Sequence, residues 1–211
     1  MTKAMGVKSN VETPRDDVRE AIFESAIELF ARRGYYATTI RDIVEKAGVT
    51  QPMVYYYFGS KEQLFISCVK ELFTEIVNIY ESVDPNMNIA DYLKAFLDVG
   101  NNIYNTSPES ILFMVNYIHL PEEYPKLAKV ESLAWKPVQL LVDFITDAKN
   151  DGIVRKDVDP ITTAIMIFGA STFGKTLHFI NKNVVDFGFD EEPEYVSTQI
   201  RKIILGGILN N

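Results

Sequence analysis

The chain has 211 residues, of which 47% are hydrophobic and 24% are charged, so it can bury a core and is not an intrinsically disordered chain. No run of about 18 apolar residues is present, which argues against a membrane span, and the net charge of −8 argues against a surface that is basic throughout. A single cysteine, two isolated histidines and an N-terminus without a secretory pattern predict a cytoplasmic protein with no disulfide, zinc site or other cofactor.

The negative charge is unevenly distributed along the chain. Residues 1–70 carry a net charge of +1, whereas residues 71–211 carry −9. Because phosphate contacts require only a locally positive docking face, this distribution permits nucleic-acid binding in the first third without indicating it.

The first predicted helix is amphipathic and ends at Gly34. Charged side chains occupy its other face, and a glycine is the residue that most readily takes the left-handed conformation at a helix end. The apolar positions at helical spacing are Val18, Ile22, Ala26, Leu29 and Phe30.

Two short helices and a long one are predicted next. The sequence Thr39–Asp42 has the pattern of an N-cap with an acidic partner three residues later, and Gly48 is expected to end that helix. A second short helix is predicted over residues 51–58. Ser60 and Gln63 then form a capping-box pattern, which predicts a long helix that extends towards Glu81.

The remainder of the chain is also predicted to be helical, with proline and glycine signals between the helices. No segment with a period of two is long enough to indicate a sheet, so the predicted fold class is all-α. Pro137 lies inside one predicted helix and is expected to kink or split it. The predicted helices cover about 89–105, a segment from Ser107-Pro108 closed by Pro121 and Pro125, 126–150, Asp159-Pro160 to 181, and 193–209.

Residues 38–64 have the pattern of a helix-turn-helix, because two short helices are joined by a glycine turn and flanked by longer helices. If Val54 and Phe58 face inward, a rotation of about 100° per residue turns Tyr56 outward. An outward aromatic surface can pack on sugars and thymine methyls, while its hydroxyls bond phosphate oxygens. Such a run can equally serve as core or as a protein interface, and the residues alone do not decide between these interpretations.

Polar residues near the starts of these helices predict further DNA contacts. Backbone N–H groups near Thr50 and Gln51 favour phosphate, and a glutamine amide can form two hydrogen bonds to adenine. Thr39 and Lys61 are placed to hold flanking phosphates, and Arg41 could reach a phosphate or a base edge. With the outward surface of the second short helix, the predicted DNA-binding residues are Thr39, Arg41, Thr50, Gln51, Pro52, Met53, Tyr55, Tyr56, Tyr57 and Lys61.

Several short sequence features occur together here at consistent spacing. They are Thr38-Thr39, Arg41, Gly48-Val49, Thr50, the run Tyr55–Phe58, Ser60-Lys61-Glu62, and, in the preceding helix, Ala26, Leu29, Phe30 and Gly34-Tyr35. This combination, over residues 15–66, resembles the DNA-binding domain of the TetR family of bacterial and archaeal regulators. The chain departs from the family pattern at Gly59, where many members carry a lysine that could contact phosphate.

The resemblance implies a homodimer that binds a double-stranded DNA operator, with Tyr56 and its neighbours in the major groove and Thr39, Tyr57 and Lys61 on the backbone. It also implies a ligand cavity among the middle helices and a dimer formed by the last two long helices. The predicted organisation is therefore a flexible N-terminus over 1–14, a helix-turn-helix domain over 15–66, and a ligand-binding and dimerisation domain over 67–211. The implied function is a ligand-responsive regulator, a repressor that a small molecule releases from a pseudo-palindromic operator.

The last two thirds of the chain are compatible with these implications. The two final helices carry apolar stripes with few charges, and the predicted dimer residues are Ile161, Ile165, Phe168, Thr172, Ile200, Ile203 and Ile204. The middle helices are rich in aromatic residues and methionine, and Tyr92 belongs to this cluster. The predicted ligand-binding residues are Phe96, Ile103, Tyr104, Phe113, Met114, Tyr117 and Trp135, with Asn116 and His119 as polar candidates. Such a set suits an apolar or aromatic effector, but it suits the filling of a core equally well.

The sequence offers little support for an enzyme. It contains no Gly-Xaa-Ser-Xaa-Gly elbow, no glycine-rich phosphate loop and no His-Glu-Xaa-Xaa-His motif. Two alternatives remain open: a helical protein that binds ligand or protein partners and has lost DNA recognition, and an activator in place of a repressor.

Overall fold

The computed structural model describes residues 14–118 and 133–210, and these residues form an all-α fold, as predicted. The only extended pairing in this part of the chain is an isolated antiparallel bridge between Val154 and Leu209. No helix in these two ranges is both long and apolar enough to cross a membrane. The helices are α1 (Pro14–Ala37), α2 (Ile40–Ala47), α3 (Gln51–Phe58), α4 (Lys61–Glu81), α5 (Ile89–Thr106), α6 (Pro108–Ile118), α7 (Lys136–Asn150), α8 (Pro160–Asn183) and α9 (Pro193–Ile208).

The predicted signals at the ends of the short helices are confirmed. The Thr39 N–H donates to Asp42 Oδ2 over 2.8 Å and the Asp42 N–H donates to Thr39 Oγ1 over 3.1 Å, so both halves of the capping box are present. Gly48 ends α2 in the left-handed conformation with φ 67° and ψ 29°. The Gln63 N–H donates to Ser60 Oγ over 3.1 Å, and α4 begins one residue after that serine.

The end of α1 differs from the expected stop at Gly34. The helical hydrogen bonding continues to Ala37, but the backbone at Gly34 has φ 77° and ψ 170°, so the helical conformation is broken there. The buried Thr38 stabilises this turn, because its hydroxyl donates to Gly34 O over 2.8 Å and lies 3.2 Å from Leu29 O. Gly34 therefore marks a kink in the last turns rather than the last residue of the helix.

Pro137 splits the helix predicted over 126–150, which was one of its two expected effects. Residues 133–134 are helical, Trp135 lies in a turn and α7 begins at Lys136, so Pro137 lies in the first turn of α7. A proline is tolerated there because the first N–H groups of a helix have no intrahelical acceptor. The part of the predicted helix before residue 133 lies outside the described residues.

The described residues form two compact units. Unit 1 contains residues 14–74 and 106–118, and unit 2 contains residues 75–105 and 133–210. In unit 1, the ring of Phe65 lies edge-on to Phe30 at 5.1 Å and to Phe113 at 5.6 Å between centroids. In unit 2, Leu141 and Ile145 of α7 are fully buried.

Candidate nucleic-acid interface

The orientation predicted for α3 is confirmed. Val54 is 0% exposed and Phe58 is buried, whereas Tyr56 is 73% exposed and Tyr55 and Met53 are also on the surface. Because Val54 and Phe58 stand one helical turn apart, they fix the inner face of α3 and leave the opposite face to solvent. A surface-exposed aromatic face on a helix this short is unusual for a monomer and indicates a binding partner.

The inner end of α3 is anchored by aromatic and ionic contacts. The Arg19 guanidinium lies 5.3 Å from the centre of the Phe58 ring and forms an ion pair with Glu71 of α4. This arrangement places a cation over a ring that is itself packed in unit 1. Arg19 of α1 therefore contacts α3 through the Phe58 ring and α4 through Glu71.

The start of α3 offers fewer N–H donors than the sequence suggested. Pro52 has no N–H, and the Met53 N–H already donates to Thr50 O over 3.0 Å. The Thr50 side chain forms no capping hydrogen bond, although this residue is the N-cap. A phosphate at this end would therefore be bound by the exposed threonine hydroxyl as well as by backbone donors.

Gln51 and Tyr55 are linked on the outer surface of α3. The Gln51 Nε2 donates to the Tyr55 hydroxyl over 3.1 Å, and both side chains are exposed. A carboxamide has two N–H donors and an acceptor oxygen, so this bond orients Gln51 without using its full capacity. The pair presents a preorganised polar edge beside the Tyr56 ring, which lies 5.0 Å from the ring of Tyr57.

Thr39 is exposed, but its hydroxyl has an internal role. Its Oγ1 donates to Asp42 Oδ2 over 2.6 Å and accepts from the Asp42 N–H. The hydrogen bonds from the Thr39 side chain and backbone lower the pKa of the Asp42 carboxyl, which therefore stays ionised. A phosphate contact by Thr39 would have to compete with this carboxylate for the hydroxyl proton.

Lys61 is half-buried at the first position of α4. Its Nζ lies 4.2 Å from the centre of the Tyr35 ring, and burial lowers the pKa of its ammonium group. Arg41 is exposed at the start of α2. Other cations of unit 1 are engaged with carboxylates: Lys46 with Glu28 at 2.8 Å, Arg32 with Glu109 at 2.7 Å, and Arg33 with Asp42 at 3.6 Å.

Gly59 has a conformational reason to differ from the family pattern. Its φ of 77° favours glycine, and its N–H donates to Tyr55 O over 2.9 Å to close α3. A Cβ at this position would stand 2.1 Å from Gln63 Oε1, so a lysine would also have to displace that side chain.

The residues predicted to bind ligand fall into the two units. Phe96, Ile103 and Tyr104 are buried in unit 2, and Phe113 and Met114 are buried in unit 1 with Tyr117 half-buried beside them. Trp135 is 59% exposed, which differs from the enclosed position expected of it. Asn116 donates to Ala31 O over 2.8 Å, which gives it a structural role, and His119 lies outside the described residues.

Unit 2 contains an open groove that the sequence did not predict. Its volume is about 770 Å³, and of the aromatic cluster considered for the pocket only Tyr92 lines it, while none of the seven predicted ligand-binding residues does. The stacked pair Tyr92 and Phe144, with ring centroids 3.7 Å apart, forms part of its wall. Four carboxylates also line the groove: Glu81, Asp143, Asp147 and Asp151. Across residues 14–118 and 133–210, no three His, Cys, Asp or Glu side chains are placed to hold a metal ion.

The predicted dimer residues on α8 and α9 differ in their exposure to solvent. Ile161, Ile165 and Ile203 are exposed, the last of them by 70%. The half-buried members of the set are Phe168, Thr172 and Ile200. Ile204 is instead buried within unit 2, because the rotation of about 100° per helical residue turns it to a different face of α9 from Ile203. The sequence analysis also missed Met166 and Phe173, which are more than half exposed on α8.

A family model matches the helix-turn-helix region. The match covers residues 22–68, and the family is described as bacterial regulatory proteins, tetR family. Over 91 residues the chain is 35% identical to the HTH-type transcriptional repressor Rv3405c of Mycobacterium tuberculosis. This alignment covers 43% of the chain and 46% of the relative, so the chain matches about half of that protein's length.

Two solved structures resemble nearly the whole chain. The ketosteroid transcriptional regulator KstR2 of Mycobacterium tuberculosis has a TM-score of 0.69 at 20% identity, over 98% of this chain and 100% of that one. The fatty acid degradation regulator FadR of Bacillus halodurans has a TM-score of 0.71 at 18% identity, over 94% and 98% of the two chains. At these identities the likeness shows a shared fold.

Proposed function

The chain belongs to the TetR family of bacterial regulatory proteins, and from this premise we propose that it is a ligand-responsive, DNA-binding transcription regulator. In this proposal residues 15–66 read the DNA, and residues 67–211 bind the effector and form a homodimer. The chain acts as a repressor, which a small molecule releases from a pseudo-palindromic operator.

The observation that carries this proposal is the orientation of α3. Tyr56 is 73% exposed on a helix whose Val54 and Phe58 are buried, and the outer edge also carries the hydrogen-bonded pair Gln51 and Tyr55. An aromatic and amide surface of this kind suits the floor and walls of the major groove. Thr50 immediately precedes α3 and Lys61 follows it at the first position of α4, where both would contact the phosphate backbone.

A homodimer is supported by the apolar face on α8 and α9. Ile161, Ile165 and Phe173 of α8 and Ile203 of α9 are exposed apolar side chains, which a second copy would cover. A two-fold dimer presents two copies of α3 to half-sites about one DNA turn apart, which is the reason for expecting a pseudo-palindrome.

An effector that prefers one spacing of the two α3 helices would shift the dimer towards or away from DNA. The helix α4 is the natural element of coupling, since its residues up to Thr74 belong to unit 1 and the remainder to unit 2. The names of the KstR2 and FadR structures mention ketosteroids and fatty acids, which supports an effector with an apolar body for this chain. In this proposal the protein is located in the cytoplasm, and it regulates transcription and does not catalyse a reaction.

The proposal is tested by selection of DNA. The purified protein is incubated with a random duplex library, and bound duplexes are amplified and sequenced. We expect an inverted repeat to be enriched and then to be bound with a salt-dependent affinity. If no sequence is enriched, and the amplified duplexes bind no more tightly than unselected DNA, the alternative is favoured. That alternative is a helical ligand-binding protein without DNA recognition.

The sign of regulation is tested separately, with a reporter gene downstream of the selected sequence. Reporter output that falls when the protein is expressed, and recovers when an effector is added, supports repression. Output that rises when the protein is expressed would instead identify an activator.

A further inference from the structure

Lys175 is a buried cation in the middle of unit 2. Its side chain on α8 is 3% exposed, and its Nζ contacts Ser171 Oγ at 2.5 Å and Ser171 O at 3.4 Å, one helical turn earlier. Both of these acceptors are neutral. In the described part of the chain, no carboxylate forms an ion pair with Lys175 within 4.0 Å. The charge of Glu194 acts on Lys175 without forming an ion pair with it. A buried ammonium with no directly bound anion is costly, which suggests that one is supplied from elsewhere.

Gly100 of α5 allows a second donor to approach this lysine. A Cβ on Gly100 would stand 2.8 Å from the Tyr80 hydroxyl and 3.4 Å from Lys175 Nζ. Both polar groups therefore approach the backbone of Gly100, where no side chain is in the way. Any larger residue would push the Tyr80 hydroxyl away. The surroundings are apolar, because the Tyr80 ring lies 4.5 Å from that of Phe96 and 6.3 Å from that of Phe168.

Asn101, the next residue on α5, provides a third donor. Its side chain is 2% exposed, and its Oδ1 accepts from Ser197 Oγ of α9 over 3.0 Å. Its Nδ2 has no hydrogen-bond partner among the described residues. An unpaired buried amide donor costs roughly 1–3 kcal/mol in a protein interior, so its retention one residue from Gly100, where Lys175 Nζ approaches the backbone, calls for an acceptor.

The protonation states fit a group of donors. Burial lowers the pKa of Lys175 to about 8, with the charge of Glu194 acting in the opposite direction, so the amine is mainly protonated at pH 7. Burial raises the pKa of Tyr80, so its hydroxyl keeps its proton. The cluster therefore carries one positive charge and two neutral donors, from α4, α5 and α8.

We propose that Lys175, Asn101 and Tyr80 together bind the carboxylate of the effector, whose remaining body is apolar. This inference rests on the proposed function and specifies its effector as a monocarboxylate. One positive charge balances one carboxylate, whereas a phosphate with nearly two negative charges would remain undercompensated in this apolar region. The aromatic rings of Phe96 and Phe168 would pack against the apolar body.

The test uses the full-length protein and a series of probes that differ in their head groups. Acetate, hexanoate, decanoate and benzoate are compared with 1-hexanol, 1-decanol and decylamine by calorimetric titration and by thermal unfolding. We expect binding of at least one of the longer carboxylates and weaker or no binding of the alcohol and amine of the same chain length.

Two variants and a control connect binding to the cluster. Lys175→Met keeps the length of the side chain and removes the charge, and we expect it to weaken carboxylate binding about ten- to hundredfold. Asn101→Asp replaces the unpaired amide donor with a carboxylate that repels an anionic ligand, and we expect a similar loss of binding. This second variant also keeps the test valid if Lys175→Met does not fold. Lys182→Met, an exposed position on the same helix, is the matched control and should bind as the wild type does.

Each outcome bears on the proposal. Carboxylate binding that Lys175→Met and Asn101→Asp abolish and Lys182→Met retains supports it. Undiminished carboxylate binding by the folded variants overturns it. Binding of the alcohols in preference to the acids also overturns it. A lack of response to every carboxylate overturns it as well, and water alone then satisfies Asn101. Release of DNA by a neutral molecule, unaffected by Lys175→Met, would overturn this inference and leave the proposed regulator intact. Carboxylate binding that has no effect on DNA binding would keep the carboxylate site and overturn the proposed ligand response of the regulator.

Discussion

The ammonium group of Lys61 lies 4.2 Å from the centre of the Tyr35 ring. A cation above an aromatic face is attracted by about 0.5–2 kcal/mol, so the contact restrains a long side chain that would otherwise sample many rotamers. The ring comes from the turn after the Gly34 kink, and the lysine comes from the first position of α4. The contact therefore fixes a positive charge directly after α3, where the proposed interface needs one.

The first prediction follows from this restrained charge. Lys61→Ala should weaken binding to a selected operator and flatten its dependence on salt, because each lost phosphate contact reduces the slope of log K against log salt by about 0.9. A dimer contains two copies of the residue, so the slope should fall by about 1.8. Fluorescence anisotropy at a series of salt concentrations gives this slope.

Lys70→Ala is the control for Lys61→Ala, since Lys70 is exposed further along the same helix. Its slope should match that of the wild type. An unchanged slope in Lys61→Ala would remove this residue from the interface.

The second prediction concerns the hydroxyl that stabilises the turn before α2. Thr38→Val keeps the shape of the buried side chain but removes the hydrogen bonds to Leu29 O and Gly34 O. We expect the free energy of unfolding to fall by roughly 1–3 kcal/mol, measured by urea denaturation. Thr74→Val removes a similar bond to Lys70 O at an exposed position and should change stability by no more than about 0.5 kcal/mol. Equal effects of the two substitutions would show that Thr38 has no special role.

The third prediction tests the apolar face on α8 and α9. A charge in a close-packed interface is poorly tolerated, so Ile165→Glu combined with Ile203→Glu should convert the proposed dimer into a monomer with unchanged helix content. Light scattering after size exclusion measures the mass. Met87→Glu, at an exposed position between α4 and α5, is the matched substitution and should leave the dimer intact. A double variant that remains dimeric would place the interface elsewhere.

The fourth prediction is a pH dependence caused by Lys175. Its pKa is about 8 in the folded chain, whereas that of an unperturbed lysine is 10.5, so between these values the unfolded chain holds more protons. The free energy of unfolding should therefore rise with pH across this window, and the rise should be missing in Lys175→Met. Tyr80 and Glu194 are present in both proteins, so the difference between them reports Lys175 alone. Parallel pH profiles would show that Lys175 titrates normally.

The short helices were predictable from sequence because their determinants are local. The capping pairs Thr39 with Asp42 and Ser60 with Gln63 are three residues apart, and the burial of Val54 and Phe58 follows from helical spacing alone. These signals need no knowledge of the rest of the fold.

Features that depend on tertiary packing could not be predicted in this way. Ile203 and Ile204 have the same chemistry, and only the packing of α9 decides which of them is exposed. The donor cluster of unit 2 needs Tyr80, Gly100 and Lys175 to meet from three helices that are far apart in sequence. The available signal in the sequence for this cluster was Lys175, which stands in a stretch of α8 that otherwise carries no Lys, Arg, Asp or Glu before Lys182.

The central claim is that the outward face of α3 reads DNA, and Tyr56 tests it most directly. The measurement is the affinity of Tyr56→Ala for a duplex selected by the wild-type protein, with circular dichroism and molecular mass measured on the same sample. Our account predicts a large loss of affinity with unchanged helix content and an intact dimer, since the substituted ring is 73% exposed and supports no core. Wild-type affinity in the folded, dimeric variant would contradict it.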